Sequence, residues 1–474
     1  MDIHASKLRF IHFVGIKGVA MTALAIYCKE KRMTVTGSDV EEDFPTKESL
    51  EKNGIVPYKG FSADHLNLVN KPDLVVFTGA HGGCDNIEAV TAKRLGIEIM
   101  PHGRALGFFM DGSVQVSVAG SHGKTTTSAM IATIFSNSHK DPSYAIGCGD
   151  IRGLGYAGHF GKGREFIAEA DEYVTDPTHD PTPRFLWQRP HVLVVTNIDY
   201  DHPDVYKSLD QVKNAFISLK DQEEGIAVTI VNADDPNSSL LLHGKEILTY
   251  GFSGSSDFRI TNVTYQQGKT IFEGSLRGMA IEPFALRVPG KHNVLNAAAA
   301  ICACYSLGIS WEDILHGISL FEGTKRRFEL IGESANVTVF DDYAHHPREI
   351  EATLEGIRLW YPHTRIITIF QPHTFSRTKA LFSQFGTCFT KSDIVCIADI
   401  YASAREQENL GVTSKILVEE ISKHQKDVYY VKDLGGTITF LKKHKKEGDI
   451  ILCMGAGDIY GWGNRIVQEL RVRS

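Results

Sequence analysis

The sequence predicts an α/β protein of two to four domains built on parallel sheets, and three observations carry that prediction. Short β-branched runs alternate with helical patterns along most of the chain: Phe10 to Val14, Thr34 to Thr36, Leu74 to Phe77, Val114 to Val118, Val192 to Thr196, Ile226 to Val231, Val337 to Phe340, Ile366 to Phe370, Ile394 to Ala398 and Ile450 to Met454. Strands that are apolar on both faces belong in sheets covered by helices on both sides. At 474 residues the chain exceeds the size at which a single core keeps growing. Between Asp257 and Val288 the pattern changes to polar–apolar alternation with turns at Gly268-Lys269 and Arg277-Gly278. That stretch is expected to add antiparallel strands to the middle of the chain. Boundaries are expected near residue 110, ahead of the strand Val114 to Val118, and near Gly323, where a fresh strand–helix series begins.

The first strand runs into Gly15-Ile16-Lys17-Gly18-Val19-Ala20-Met21, and the second ends at Gly37-Ser38-Asp39. A strand, a glycine turn at Gly15 and Gly18, and a helix N-terminus make a pyrophosphate site, with Ser38 and Asp39 placed to reach a ribose. Lys17 and Ala20 occupy the second and third glycine positions of a dinucleotide fingerprint, which argues against an ordinary nicotinamide domain. The strand Val114 to Val118 leads into Gly120-Ser121-His122-Gly123-Lys124-Thr125-Thr126, the layout of a phosphate-gripping loop with Val118 where a glycine is usual. Its backbone N–H groups converge on phosphate oxygens, Lys124 reaches the terminal phosphates, and Thr125 is placed to ligate Mg²⁺. A nucleoside triphosphate is therefore expected.

Two acidic segments follow at C-terminal strand ends, where open α/β sheets place ligands. Glu165 to Ala168 leads into Glu169-Ala170-Asp171-Glu172, and Val192 to Thr196 into Asn197-Ile198-Asp199-Tyr200-Asp201-His202. A carboxylate and an imidazole there complete a Mg²⁺ shell begun by Thr125. Gly290-Lys291-His292-Asn293-Val294-Leu295-Asn296 opens an alanine-rich helix whose polar side chains either face a base or simply cap the helix. Lys325 to Phe328, Asp341 to Pro347 and Phe370 to Thr378 each put charged or imidazole groups at or beside a strand end. Adjacent His345 and His346 point in different directions, so one is expected to face a ligand and the other to be structural.

The charge balance, 50 basic against 57 acidic residues, disfavours nucleic acid and anionic membrane as partners. No apolar run reaches a membrane span, the richest being Ala297 to Ile309, and Met1-Asp2-Ile3-His4 lacks a secretory pattern. A cytoplasmic protein is expected. The 8 cysteines are scattered and are expected to be buried free thiols.

The ordered series Gly120 to Thr127, Glu169 to Glu172, Thr196 to Ile198 with Asp201-His202, Gly290 to Ala297, Lys325 to Phe328, Asp341 to Pro347, Phe370 to Thr378 and Met454 to Ile459 resembles the Mur ligase family of peptidoglycan synthesis over nearly the whole chain. The resemblance implies three domains: a Rossmann-like domain binding a UDP-sugar (1–109), a central P-loop ATPase (110–323) and a Rossmann-like C-terminal domain carrying the amino acid (324–474). It implies ATP-dependent joining of L-alanine to the carboxylate of UDP-N-acetylmuramate through an acyl phosphate, by a monomer or homodimer. The related branch that attaches an intact tripeptide to the same sugar nucleotide is the alternative. By the same resemblance Lys124 binds the β- and γ-phosphates, Thr125 and Glu169 hold one Mg²⁺, and Glu169 and His202 a second. His292 and Asn296 lie near the adenine, Arg327 and Asp342 near phosphates and ribose, and Tyr343, His345 and Arg377 face the amino acid. The chain departs from the family pattern at Lys17, Ala20, Thr78-Gly79-Ala80-His81, Ala157-Gly158 and the Pro-rich stretch Asp176 to Pro190. Lys213 has no register for a metal-holding role.

Overall fold

The computed structural model describes residues 7–42, 44–67, 69–222, 225–244, 246–402, 406 and 408–471; Met1 to His4 lie outside them. Three sheets follow one another along the chain. The first is all parallel, in the order β3-β2-β1-β4-β5, from β1 (Phe10–Val14), β2 (Thr34–Asp39), β3 (Tyr58–Lys59), β4 (Leu74–Phe77) and β5 (Glu98–Pro101). The chain winds outward from β1 on one side and then on the other, so its topological switch point lies at the Gly15 turn.

The central sheet has ten strands: β6 (Val114–Ala119), β7 (Ser143–Ile151), β8 (Gly155–His159), β9 (Glu165–Ala170), then, beyond a separate hairpin of β10 (Val174–Asp176) and β11 (Asp180–Pro183), β12 (Val192–Val195), β13 (Val228–Asn232), β14 (Glu246–Gly251), β15 (Phe258–Gln266), β16 (Lys269–Leu276) and β17 (Met279–Leu286). Their order is β17-β16-β15-β14-β13-β12-β6-β9-β7-β8. The antiparallel meander β15–β17 occupies the stretch where the sequence alternates. Two features differ from the sequence expectation. A second antiparallel pair, β7–β8, closes the other edge, where Gly147 and Gly149 interrupt the β-branched signal. The Pro-rich stretch Asp176 to Pro190 is a hairpin followed by the turn Arg184–Trp187 rather than a plain loop. Pro181 and Pro183 are tolerated because a two-stranded sheet consists only of edges.

The third sheet runs β18-β19-β23-β20-β21-β22, from β18 (Glu329–Ser334), β19 (Val337–Asp342), β20 (Ile366–Phe370), β21 (Ile394–Ala398), β22 (Val428–Lys432) and β23 (Ile450–Met454). Only β18 is antiparallel. No described helix is long and apolar enough to cross a membrane.

The apolar core of the first two sheets is continuous, from Leu8 and Ile11 through Val116 to Phe321, with the alanine-rich helix Lys291–Ser306 packed on the helix Lys124–Asn137. The third sheet has its own two clusters. Where the first helix, Val19–Glu30, lies on β8, a Cβ at Gly158 would strike the carbonyl oxygen of Ala23. That close approach requires glycine at 158. Seven of the eight free cysteines are buried as expected; Cys84 is partly exposed.

Candidate active site

The phosphate loop turns from β6 into the helix Lys124–Asn137 with Gly123 at φ 86°, where a Cβ would also meet the Asn296 amide oxygen. Lys124 Nζ donates to the Gly120 carbonyl at 2.6 Å and to Glu172 Oε2 at 2.8 Å. Burial alone would lower the lysine pKa, but Glu172, Asp171 and Glu169 overcome it and hold Lys124 charged. Thr125 Oγ1 donates to Glu169 Oε2 at 3.1 Å, while Glu169 Oε1 accepts the Gly147 N–H at 2.6 Å. Burial raises the Glu169 pKa against the pull of Lys124.

His202, at φ 58° beyond β12, brings its Nε2 within 3.9 Å of Glu172 Oε1 and 3.8 Å of Asp201 Oδ2. Asp171, Glu172 and His202 form a cluster whose ligand atoms lie within 4.8 Å of one another. The cluster sets Glu172 and Asp171 beside His202, in addition to Glu169, the carboxylate that the sequence reading singled out. Glu172 Oε1 is buried and has no hydrogen-bond partner among the described residues, a donor atom available to a cation.

Beside the loop lies a cavity of about 280 Å³ whose walls include His122, Thr126, His292, Asn296, Arg327 and Asp342. The four residues assigned to base, ribose and phosphates thus line one space between the central and third sheets. Burial, reinforced by Arg327, lowers His292 to about 4, so it is neutral at pH 7. Asp342 accepts the N–H groups of Phe328 and Ala344, each at 2.8 Å, and burial raises its pKa against Arg327.

Across this cleft the third sheet presents Arg377, His345 and Tyr343. Arg377, 7% exposed, makes a two-pronged contact with Asp201 of the central unit, at 2.9 and 3.3 Å. His345 Nδ1 lies 3.0 Å from the Tyr343 carbonyl, which marks it as the protonated nitrogen, and burial with Arg377 nearby lowers the ring to about 4. His346 takes the structural part: it caps the helix Pro347–Trp360, its Nδ1 accepting the Arg348 N–H at 3.3 Å. The Tyr343 ring lies under Arg326 and Arg327, 4.9 and 5.3 Å from its centroid.

One residue escaped the sequence reading. Glu349 stands at the centre of the seam, 3.4 Å from His122 Nδ1, 3.4 Å from His345 Nδ1 and 3.6 Å from Arg327 Nη1. Burial opposes its charge, but His345, His122 and Arg327 hold its pKa well below the usual range. Its only sequence signal was the capping pattern His346-Pro347-x-Glu349, disguised because histidine is an unusual cap.

At the first sheet, the Gly15 and Ile16 N–H groups donate to the Ser38 carbonyl at 2.9 and 3.2 Å, and Gly18 begins the helix Val19–Glu30. Asp39, 1% exposed, accepts the N–H groups of Lys17 at 2.7 Å and Val40 at 2.8 Å. The Ser38 hydroxyl donates to buried Glu88, which also meets His12 and His65. Both side chains are therefore engaged in shaping the turn. Lys17, in the place of a glycine, sends its Nζ to the carbonyls of Val40 and Glu42 at 2.5 and 2.8 Å.

A phosphate loop backed by buried carboxylates, opening on a cleft closed by a second α/β unit rich in arginine and histidine, defines a nucleotide-dependent group-transfer enzyme. Residues 10–113 match the "Mur ligase family, catalytic domain", 178–304 the "Mur ligase middle domain" and 326–457 the "Mur ligase, glutamate ligase domain". The chain is 41% identical to a UDP-N-acetylmuramate--L-alanine ligase of Caldanaerobacter subterraneus, covering 99% of each, and 39% identical to one of Desulfitobacterium hafniense, covering 96% of this chain and 99% of that one. Its fold is similar to the UDP-N-acetylmuramate-alanine ligase of Thermotoga maritima, with TM-score 0.78 and 28% identity over 97% of this chain and 98% of that one. It is also similar to a murein peptide ligase of Psychrobacter arcticus, with TM-score 0.72 and 25% identity over 98% and 99%. The chain belongs to the Mur ligase family, whose members are ATP-dependent ligases that form C–N bonds.

Proposed function

We propose that the chain joins L-alanine to the lactyl carboxylate of UDP-N-acetylmuramate in the cytoplasm, giving UDP-N-acetylmuramoyl-L-alanine, ADP and phosphate. The observation that carries this reading is the pairing of a carboxylate-backed phosphate loop with the Arg377–His345 face across the cleft, in a chain 41% identical along its length to an alanine ligase. We divide the chain at 109/110 and 323/324 into sugar-nucleotide, ATP and amino-acid units.

In this mechanism the γ-phosphoryl group of ATP passes to the sugar carboxylate, and the alanine amine displaces phosphate from the resulting acyl phosphate. Positioning and charge neutralisation carry both steps, with no protein nucleophile. Gly120, Ser121, His122, Gly123 and Thr126 shape the loop around the phosphates. Lys124 exchanges Glu172 for the β- and γ-phosphates. The adenine lies against His292 and Asn296, with Arg327 and Asp342 toward ribose and phosphates. Thr125, Glu169 and His202 are the donors for Mg²⁺, with buried Glu172 Oε1 as a further one; the oxygen-rich set suits that ion, which when bound neutralises phosphoryl charge. His345, neutral at pH 7, takes the proton of the attacking amine in this reading, and Arg377 offers its fork to the alanine carboxylate. Gly15 and Gly18 receive the UDP end, with Ser38, Asp39 and Tyr343 supporting the two substrate pockets.

The test is phosphate release with ATP, Mg²⁺, UDP-N-acetylmuramate and a panel of amino acids beside L-alanyl-γ-D-glutamyl-diaminopimelate. Turnover dependent on L-alanine is expected. Turnover with the tripeptide and none with alanine would overturn the reading.

A further inference from the structure

Two departures from the family pattern, the segment after β4 and the hairpin β10–β11, pack against each other at the joint between the first two units. Asp176, closing β10, accepts the Cys84 N–H at 3.0 Å, and a Cβ on Gly83, at φ 55°, would strike its carboxylate. Behind this contact, at the solvent edge, stand Cys84, Asp85 and His179. One sulfur, one carboxylate oxygen and one ring nitrogen from these residues all lie within 4.8 Å of one another. His179 Nε2 is 3.1 Å from Asp85 Oδ2, while its Nδ1 faces Asp176 Oδ2 at 3.6 Å.

We propose that Cys84, Asp85 and His179 form a site for a borderline divalent cation of the zinc class, clasping the first unit to the hairpin of the second. A thiolate, an imidazole and a carboxylate from two segments are the donor set of such an ion, whereas Mg²⁺ prefers oxygen alone. Asp176 stands where a carboxylate orients a ligating histidine: it faces Nδ1 and leaves Nε2 for the metal. Asp85 and His179 are 67% and 39% exposed in their side chains, so the site is open to solvent ions. On binding, the Cys84 thiol proton leaves to solvent as the sulfur–metal bond forms. The clasp acts on the nucleotide turn through the same segment, because Thr78 packs on Gly15 and His81 Nε2 lies 3.7 Å from Asp39 Oδ1.

The test is a Co²⁺ titration of the chelator-treated full chain, with excess Mg²⁺ present to fill oxygen-rich sites. The expected result is a single equivalent bound with a thiolate-to-cobalt charge-transfer band and a tetrahedral visible spectrum, displaced by Zn²⁺. The band should vanish in Cys84→Ser, and affinity should fall roughly tenfold or more in His179→Ala and in Asp85→Asn, two solvent-facing changes that leave the core intact. No charge-transfer band in the wild type, a band that survives Cys84→Ser, or unchanged affinity in both other variants overturns the proposal.

Discussion

The two joints between the three units are built from different materials. The joint between the first and central units is an apolar core continuous from Leu8 to Phe321, with backbone lying on backbone where Gly158 meets Ala23. The joint between the central and third units packs Gly356 on Gly290 at one end, but around the open cavity it is held by charge pairs: Arg377 with Asp201, Arg348 with Asp199 at 3.1 Å, and His122 with Glu349. Close packing transmits strain and has one good arrangement, whereas a buried charge can exchange one oppositely charged partner for another provided that it is never left unpaired. On the proposed function, the first joint holds the sugar nucleotide at a fixed distance and the second opens and closes over ATP and the amino acid. Asp201 and Glu172 hold Arg377 and Lys124 in the same way that substrate anions would.

The largest effect is expected inside the cleft that this joint closes, from Lys124→Met. Losing the fixed cation at the phosphates should cost roughly 10²–10³-fold in kcat, as for removal of one preorganised electrostatic contact. Steady-state phosphate release measures it, and near-normal turnover would contradict the role. Next is Arg377→Lys, which keeps the charge but loses the fork. It should raise KM for L-alanine by on the order of tenfold, the worth of one charge-assisted hydrogen bond, and barely move KM for ATP. Equal effects on both constants would remove Arg377 from the amino-acid pocket.

At the apolar joint the expected effect is on stability instead. Gly158→Ala places a methyl group into the Ala23 backbone and should cost about 1–3 kcal/mol by overpacking, read as a lower urea midpoint, with kcat little changed. A variant as stable as wild type would mean that this joint is looser than its packing implies.

The same contrast explains what was legible in the sequence. β1, β4, β20, β21 and β23 could be read to the residue, since each is a largely buried run in which only His12 of β1 and Thr368 of β20 are polar. β7 and β10–β11 were missed because glycine and proline erase that signal. At the site, Lys124, Thr125 and Glu169 are close in the chain to their strand ends, so local pattern located them. The pairing of His202 with Glu172 and the central place of Glu349 arise from segments far apart, which no local pattern reports.

The smallest effect is the most specific to the ionic joint. Burial opposes protonation of His122, yet Asp199 at 3.2 Å, Glu349 at 3.4 Å and the charge of Asp201 raise it from 6.5 to about 9, despite the His346 ring 4.7 Å away. Below 6.5 the imidazole is charged in both folded and unfolded chains, and its pairing contributes in full. As pH rises the unfolded chain loses the proton first, so the contribution declines across the window from 6.5 to about 9 and is gone above it. His122→Gln should therefore melt on the order of 2 °C below wild type at the acid end of that window and together with it at the alkaline end. Melting curves of the ligand-free proteins across the window decide it. A constant difference would mean that His122 joins the units by packing, as at the first joint, and not by charge.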